Sequence, residues 1–221
     1  MRIPKEILIL FVLLAFDVLV VYFHFRYGAN IDFFNIDKEQ SLNAIVSSTQ
    51  FLLIGIFATL NAIIIYVLKS SWRRFVPWFL LGVGCMYFAI DDAFAIHEQI
   101  GIILNKIFHV GGFWGESFNW LIYFAPFLLI GAYIVYFVFR DIWKTSKIKA
   151  LCIMVGLCFF IIALGLEYYE GRILVSASPP KLYHVLLLYE EFFELLGTTF
   201  MLVGIFSYVS KQVQHHIRLM P

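Results

Sequence analysis

The sequence predicts an all-α integral membrane protein, six transmembrane helices in one bundle with N- and C-termini cytoplasmic. Three observations carry this. Apolar and aromatic residues make up 62% of the 221 and charged residues 14%, against about 45–50% and about 25% in soluble domains. Apolar runs of about 20 residues, the length that crosses a hydrocarbon core of about 30 Å, recur along the whole chain. Lysine and arginine are concentrated in alternate loops, as in proteins whose basic loops stay cytoplasmic.

The first span covers about residues 7–25 and follows Arg2 and Lys5, as a secretory signal would. Its apolar stretch of about 19 residues is long for a signal core. It also carries Asp17 and His24, which fit a retained helix. The second span covers about 44–68. The third, about 75–104, opens near Pro77, tolerated in a first turn because its missing N–H has no helical partner there. The fourth and fifth cover about 118–140 and 149–170, and the sixth, about 182–209, follows the breaker Ser178-Pro179-Pro180. The loops are short and free of low-complexity sequence, so residues 1–221 read as a single polytopic membrane domain.

With the N-terminus inside, eleven basic residues fall on the cytoplasmic side: Arg2, Lys5, Lys69, Arg73, Arg74, Arg140, Lys144, Lys147, Lys149, Lys211 and Arg218. Five fall outside: Arg26, Lys38, Lys106, Arg172 and Lys181. A bacterial inner membrane is the expected location and the lipid bilayer the expected partner. The formal charge of +1 excludes an electrostatic nucleic-acid binder. Cys85, Cys152 and Cys158 lie in spans, without redox or zinc spacing, and read as core residues. Trp72, Trp78, Trp114, Trp120 and Trp143 fall near span ends, as an interfacial aromatic belt requires. Gly82 with Gly84, and Gly197 with Gly204, allow close helix contacts; a homo-oligomer or membrane complex stays open.

Of fifteen carboxylates, nine lie in spans or their last turns: Asp17, Asp91, Asp92, Glu98, Glu167, Glu170, Glu190, Glu191 and Glu194. No lysine or arginine shares their depth, and each charge near the bilayer centre costs at least about 2.5–3.5 kcal/mol. Protons, metal cations or a wet vestibule must neutralise them. At about 1.5 Å per residue, Asp91, Asp92, Glu190 and Glu191 are expected roughly 13 Å below the outer ends of their helices, with Asp17 level with them. An upper tier holds His24, His97, Glu98, Glu167, Glu170 and His184, with Gln50 between. Within the sixth span Glu190, Glu191, Glu194 and His184 share a sector; on the third, Asp91 and Glu98 align seven apart.

Carboxylates can bridge divalent ions, and imidazole shifts the choice towards Fe, Mn or Zn. The expected ligands are Asp92, His97, Glu167, Glu190, Glu191 and Glu194. Glu98 and Glu170 are the expected proton acceptors, and Asp17, His24, Gln50, Asp91 and His184 an additional polar cluster. The chemical logic is similar to that of ferritin-like di-iron bundles, but their Glu-x-x-His motif is absent, as is the His-Glu-x-x-His of zinc proteases. No family's residues are carried over. The resulting expectation is a metal-dependent membrane enzyme whose extracytoplasmic site acts on a lipid-like or small-molecule substrate. The alternatives are a cation or proton transporter or channel, and a non-catalytic membrane subunit. A three-plus-three inverted repeat is hinted at by Glu98-x-x-Gly101 and Glu194-x-x-Gly197, but at unmatched depths.

Overall fold

A backbone in hydrocarbon must satisfy its hydrogen bonds within its own segment, and apolar runs of this length do so as helices. The computed structural model describes residues 4–36, 38, 40–69, 71–108, 120–175 and 180–217, and every regular element among them is helical. Helix α1 is Lys5–Tyr27, α2 Leu42–Lys69, α3 Trp72–Phe94, α4 Ile96–Phe108, α5 Trp120–Thr145, α6 Lys147–Val175 and α7 Pro180–Ile217. A 3-10 turn, Asp32–Phe34, follows α1. Six helices are long and apolar enough to cross a membrane. The 13 residues of α4 reach only about 20 Å, short of a hydrocarbon core.

The third expected span is therefore two helices. Ala95 takes a left-handed conformation (φ 45°, ψ 46°) and closes α3 by donating its N–H to the Asp91 carbonyl. It is the one non-glycine residue with positive φ among the described residues. Apolar periodicity continues across it, so the run of hydropathy conceals the break. The alignment of Asp91 with Glu98 by helical phase does not hold, because the phase is lost at the bend. The opening of α3 differs as well. The helix begins at Trp72, where the Trp72 and Phe75 rings pack on Tyr66 at the end of α2. Pro77 thus lies inside α3 and deprives the Arg73 carbonyl of its helical donor.

Helix α7 occupies the middle, against α6, α2 and α1; α2 also packs on α3, and α5 joins α3 to α6. Two-thirds of the most apolar stretch of α7 (67%) is buried, against 6% in α5, which leaves α5 as an outer helix. Close approach at the two principal seams rests on reciprocal glycines. A Cβ on Gly55 would stand 2.9 Å from the Gly82 carbonyl oxygen, and one on Gly82 would stand 3.0 Å from the Gly55 oxygen. On α6 and α7, Gly156 and Gly197 face each other in the same way, at 2.7 and 3.1 Å. The expected contact residue Gly84 has nothing within 4 Å of its Cβ position, because it lies away from the α2 seam that Gly82 faces.

The bundle has two unlike ends. One collects the C-terminal ends of α1, α3 and α6 with the N-terminal ends of α2 and α7, and is called the acidic end here. The other, the basic end, holds the N-terminal ends of α3 and α6 with the C-terminal ends of α5 and α7. Between them lies an apolar core that includes Ile54, Ala58, Leu81, Cys85, Ile142, Ile153, Leu202 and Ile205. Cys85 belongs to this core, whereas Cys158 is exposed. Trp72 and Trp143 are exposed as belt residues would be, but Trp78 is buried and stacked on Tyr208 at 5.3 Å and 9°. Trp114 and the side chain of Trp120 lie outside the described residues.

Overpacking a tight seam costs about 1–3 kcal/mol. Gly82→Ala is therefore expected to lower stability by about that amount. Gly84→Ala should be neutral or slightly stabilising, because alanine is the better helix former by roughly 0.8–1 kcal/mol. Equilibrium unfolding of the two variants in detergent micelles checks the contrast.

Candidate carboxylate site

One face of α2 organises the acidic end. Asn43, Ser47, Gln50, Ile54, Ala58, Asn61 and Ile65, spaced by three or four residues, are all buried. The first three are polar and meet acids from other helices. Asn43 Nδ2 donates to Glu191 Oε2 on α7 at 2.6 Å. Ser47 Oγ donates to Asp92 Oδ2 on α3 at 2.5 Å, and Ser48 Oγ reaches the same oxygen at 3.0 Å. Asn43, Ser47 and Ser48 escaped the sequence reading, which followed charges and named only Gln50 on this face. Their signal is the i, i+4, i+7 spacing of Asn43, Ser47 and Gln50 that continues into the apolar face of α2.

Around them α3, α6 and α7 bring six carboxylates together. Glu167, Glu170 and Glu190 are buried, Glu170 completely. Asp92, Glu191 and Glu194 are partly buried. Glu190 lies in electrostatic range of Glu167, Glu194, Glu170 and Glu191. Glu191 lies in range of Asp92, Glu170 and Glu167, and Glu194 of Glu191, Asp92, Glu167 and Asp91. Among the described residues, however, no three His, Cys, Asp or Glu side chains stand close enough together to hold a metal ion ready-made.

Asp91 works differently from its neighbour. Across the bend at Ala95, its Oδ1 accepts the backbone N–H of His97 and its Oδ2 lies 2.8 Å from His97 Nδ1. Asp91 thus pins the first turn of α4, whose unpaired amides need acceptors. Gln99 Nε2 also donates to the Phe94 carbonyl across the bend. With the Asp91 carboxylate as acceptor, Nδ1 carries the imidazole proton and Nε2 the ring lone pair in neutral His97.

Asp17 and Gln50 belong to a separate, deeper layer. Thr199 Oγ1 donates to Asp17 Oδ2 at 2.8 Å, Gln50 Nε2 donates to Thr199 Oγ1 at 2.9 Å, and Thr198 Oγ1 donates to Gln50 Oε1. Gln50 Nε2 also lies 3.5 Å from Asp17 Oδ1. Asp17 was expected level with Glu191, but Thr199 is eight residues and about 12 Å further along α7. The discrepancy arises because α7 has 38 residues, about 57 Å, so its outer end does not mark a membrane surface.

The remaining expected residues disperse. His24 accepts the Ile36 N–H at 3.1 Å through Nδ1 and fastens the α1–α2 connection. His184 is exposed on α7 beside Tyr183. The side chains of Glu98 and Arg172 lie outside the described residues.

A second charged site at the basic end was missed. Asp141 Oδ2 accepts from Arg74 Nη2 at 2.6 Å, Trp78 Nε1 at 3.1 Å and Tyr208 Oη at 3.5 Å. Asp141 lies one residue beyond the expected end of the fourth span, and Arg74 was counted only as a topology marker.

Apolar spans, a central α7 and stacked buried polar layers define a multi-pass helical membrane protein. The chain belongs to the family described as a domain of unknown function (DUF8692), which it matches over residues 7–209. No curated protein and no solved structure matches it.

Thr199→Val removes both the donor to Asp17 and the acceptor for Gln50 with little change of shape. Leaving buried polar groups unsatisfied costs about 1–3 kcal/mol each, and a loss of this order is expected in detergent unfolding. Asp91→Ala is expected to raise amide hydrogen exchange in the first turn of α4 while leaving α2 and α7 protected. Unchanged exchange at His97 would refute the capping role.

Proposed function

We propose that the chain is a membrane enzyme whose acidic end binds a divalent metal, Fe, Mn or Zn, and acts on a lipid-like or small-molecule substrate. The observation that carries this reading is the convergence of Asp92, Glu167, Glu170, Glu190, Glu191 and Glu194 from three helices. The charges acting most strongly on Glu190, Glu191 and Glu194 are those of other carboxylates. A multivalent cation relieves that repulsion with one ligand where protons would have to be added singly.

His97 supports the same reading. A carboxylate on Nδ1 is the outer contact that orients metal-ligating histidines and leaves Nε2 as the donor atom. Because the side chains do not form a finished cage, a metal would draw Glu190, Glu191, Glu194, Glu167 and Asp92 inward by rotamer changes, with Asp91 holding His97 at the rim. The metal would supply Lewis acidity. Glu170, fully buried, is suited to holding a proton among its neighbours, and Glu98 is assigned the same role from its place in the sequence. The excess of lysine and arginine at the opposite end favours cytoplasmic termini and an extracytoplasmic site in a bacterial inner membrane.

A cation or proton pathway fits less well. The polar face of α2 does run from Asn43 to Gln50, but it then meets Ile54 and Ala58, with Leu202 and Ile205 on α7, in the apolar core. A moving charge would cross about two further helical turns without polar lining.

The test is elemental analysis of detergent-purified protein, wild type against Glu191→Gln/Glu194→Gln, after metal-replete expression. Near-integral metal per chain in the wild type and its loss in the variant are expected. The replacement amide oxygen can still accept from Asn43, which keeps the helices in place. Wild-type protein without metal above background would overturn the metal reading.

A further inference from the structure

At the basic end, α3, α5, α6 and α7 enclose a cavity of about 390 Å³ whose lining includes Arg74, Thr145, Ser146, Lys149, Lys211 and Gln212. Three of these side chains are cations, and no carboxylate lines the cavity. The charge of Arg74 is matched by Asp141, which stands beside the cavity at 2.6 Å from Nη2. Arg74 Nε is nevertheless buried without a hydrogen-bond acceptor among the described residues.

The two lysines have no carboxylate at ion-pair distance among the described residues. Lys149 lies in electrostatic range of Lys211 and of Glu6 on α1, and among the described residues neither lysine forms an ion pair. Lys149 is also held in place, since its Nζ donates to the Ser207 carbonyl of α7. An ammonium carries three donors, so this contact fixes its position while leaving two to offer. Like charges held together beside a cavity, with hydroxyl and amide groups on the same wall, make a site for an anion.

We propose that this cavity binds the phosphate group of a headgroup-sized molecule, with Lys149 and Lys211 as its counter-charges. Ser146, Gln212 and Arg74 Nε–H supply neutral and shared donors. The volume lies within the range of small-molecule sites, roughly 300–1,000 Å³, and exceeds what a bare ion needs. The phosphate can be that of a phospholipid in the adjoining leaflet or of a soluble phosphate ester.

Native mass spectrometry of the full chain in detergent tests this with phosphatidylglycerol, phosphatidylcholine and glycerol 3-phosphate as probes. One phosphatidylglycerol per chain is expected to bind more tightly than phosphatidylcholine, with Lys149→Gln/Lys211→Gln weakening it about tenfold. Displacement of the lipid by glycerol 3-phosphate would support the proposal with a soluble ester as the source, and failure to displace it would support a lipid. Lys149 also ties α6 to α7, so Lys211→Gln alone, at an exposed position, provides a variant whose fold is not at stake; a smaller loss in the same direction is expected. Phosphatidylglycerol affinity unchanged in both variants, or no preference over phosphatidylcholine in the wild type, would overturn the proposal. Neither result bears on metal at the acidic end.

Discussion

A carboxylate withdrawn from water must be given hydrogen-bond donors, a cation or a proton, and the bundle meets this constraint differently at each depth. Asp17 receives a threonine hydroxyl and lies against a glutamine amide. Asp141 receives a guanidinium, an indole and a phenol. In both cases the partners come from neighbouring helices, so neutralising the acid also ties helices together. The acidic end is built otherwise. There α2 supplies the donors: Asn43 serves one oxygen of Glu191, and Ser47 and Ser48 one oxygen of Asp92.

Packing explains how the acids arrive there together. The glycine pairs Gly55–Gly82 and Gly156–Gly197 let α2 approach α3 and α6 approach α7 closely enough for backbone atoms to touch. These seams lie beyond the carboxylates on their helices, so the helices leave the contact already near one another and carry Asp92, Glu170 and Glu191 into a common space. The bend at Ala95 serves the same end. A straight α3 would take His97 a further turn away from Asp91; the left-handed residue turns the chain so that Asp91 can grip both the amide and the ring of His97. A strained conformation of this kind, costing of order 1–3 kcal/mol, persists where surrounding contacts require it.

Length and apolarity made the six spans legible, because the bilayer constrains both strongly. The relative direction of Glu190, Glu191 and Glu194 was legible too, since they lie on one uninterrupted helix, where a spacing of three or four residues fixes it. What failed depended on relations between helices. Asp17 was assigned a depth from helix ends, and α7 extends too far for its end to serve as a ruler. The division of α3 from α4 has no glycine or proline to announce it, only an alanine forced into a left-handed conformation. Trp78 carried the signature of an interfacial tryptophan, yet its partner Asp141 lies 63 residues away in sequence. Such pairings follow from tertiary packing, and a single sequence offers no local sign of them.

The apolar layer between the two polar ends has consequences for how they can act. From Thr199 to Tyr208, α7 passes about 13 Å through side chains such as Leu202 and Ile205, with Ile54, Ala58 and Ile153 opposite. The layer is mostly apolar, with Asn61 of α2 buried inside it between Ala58 and Ile65. The same layer is held by the glycine seams and closed at its far side by the stacked Trp78 and Tyr208. The bundle therefore sets mostly apolar packing between the carboxylates and the end where the lysines gather.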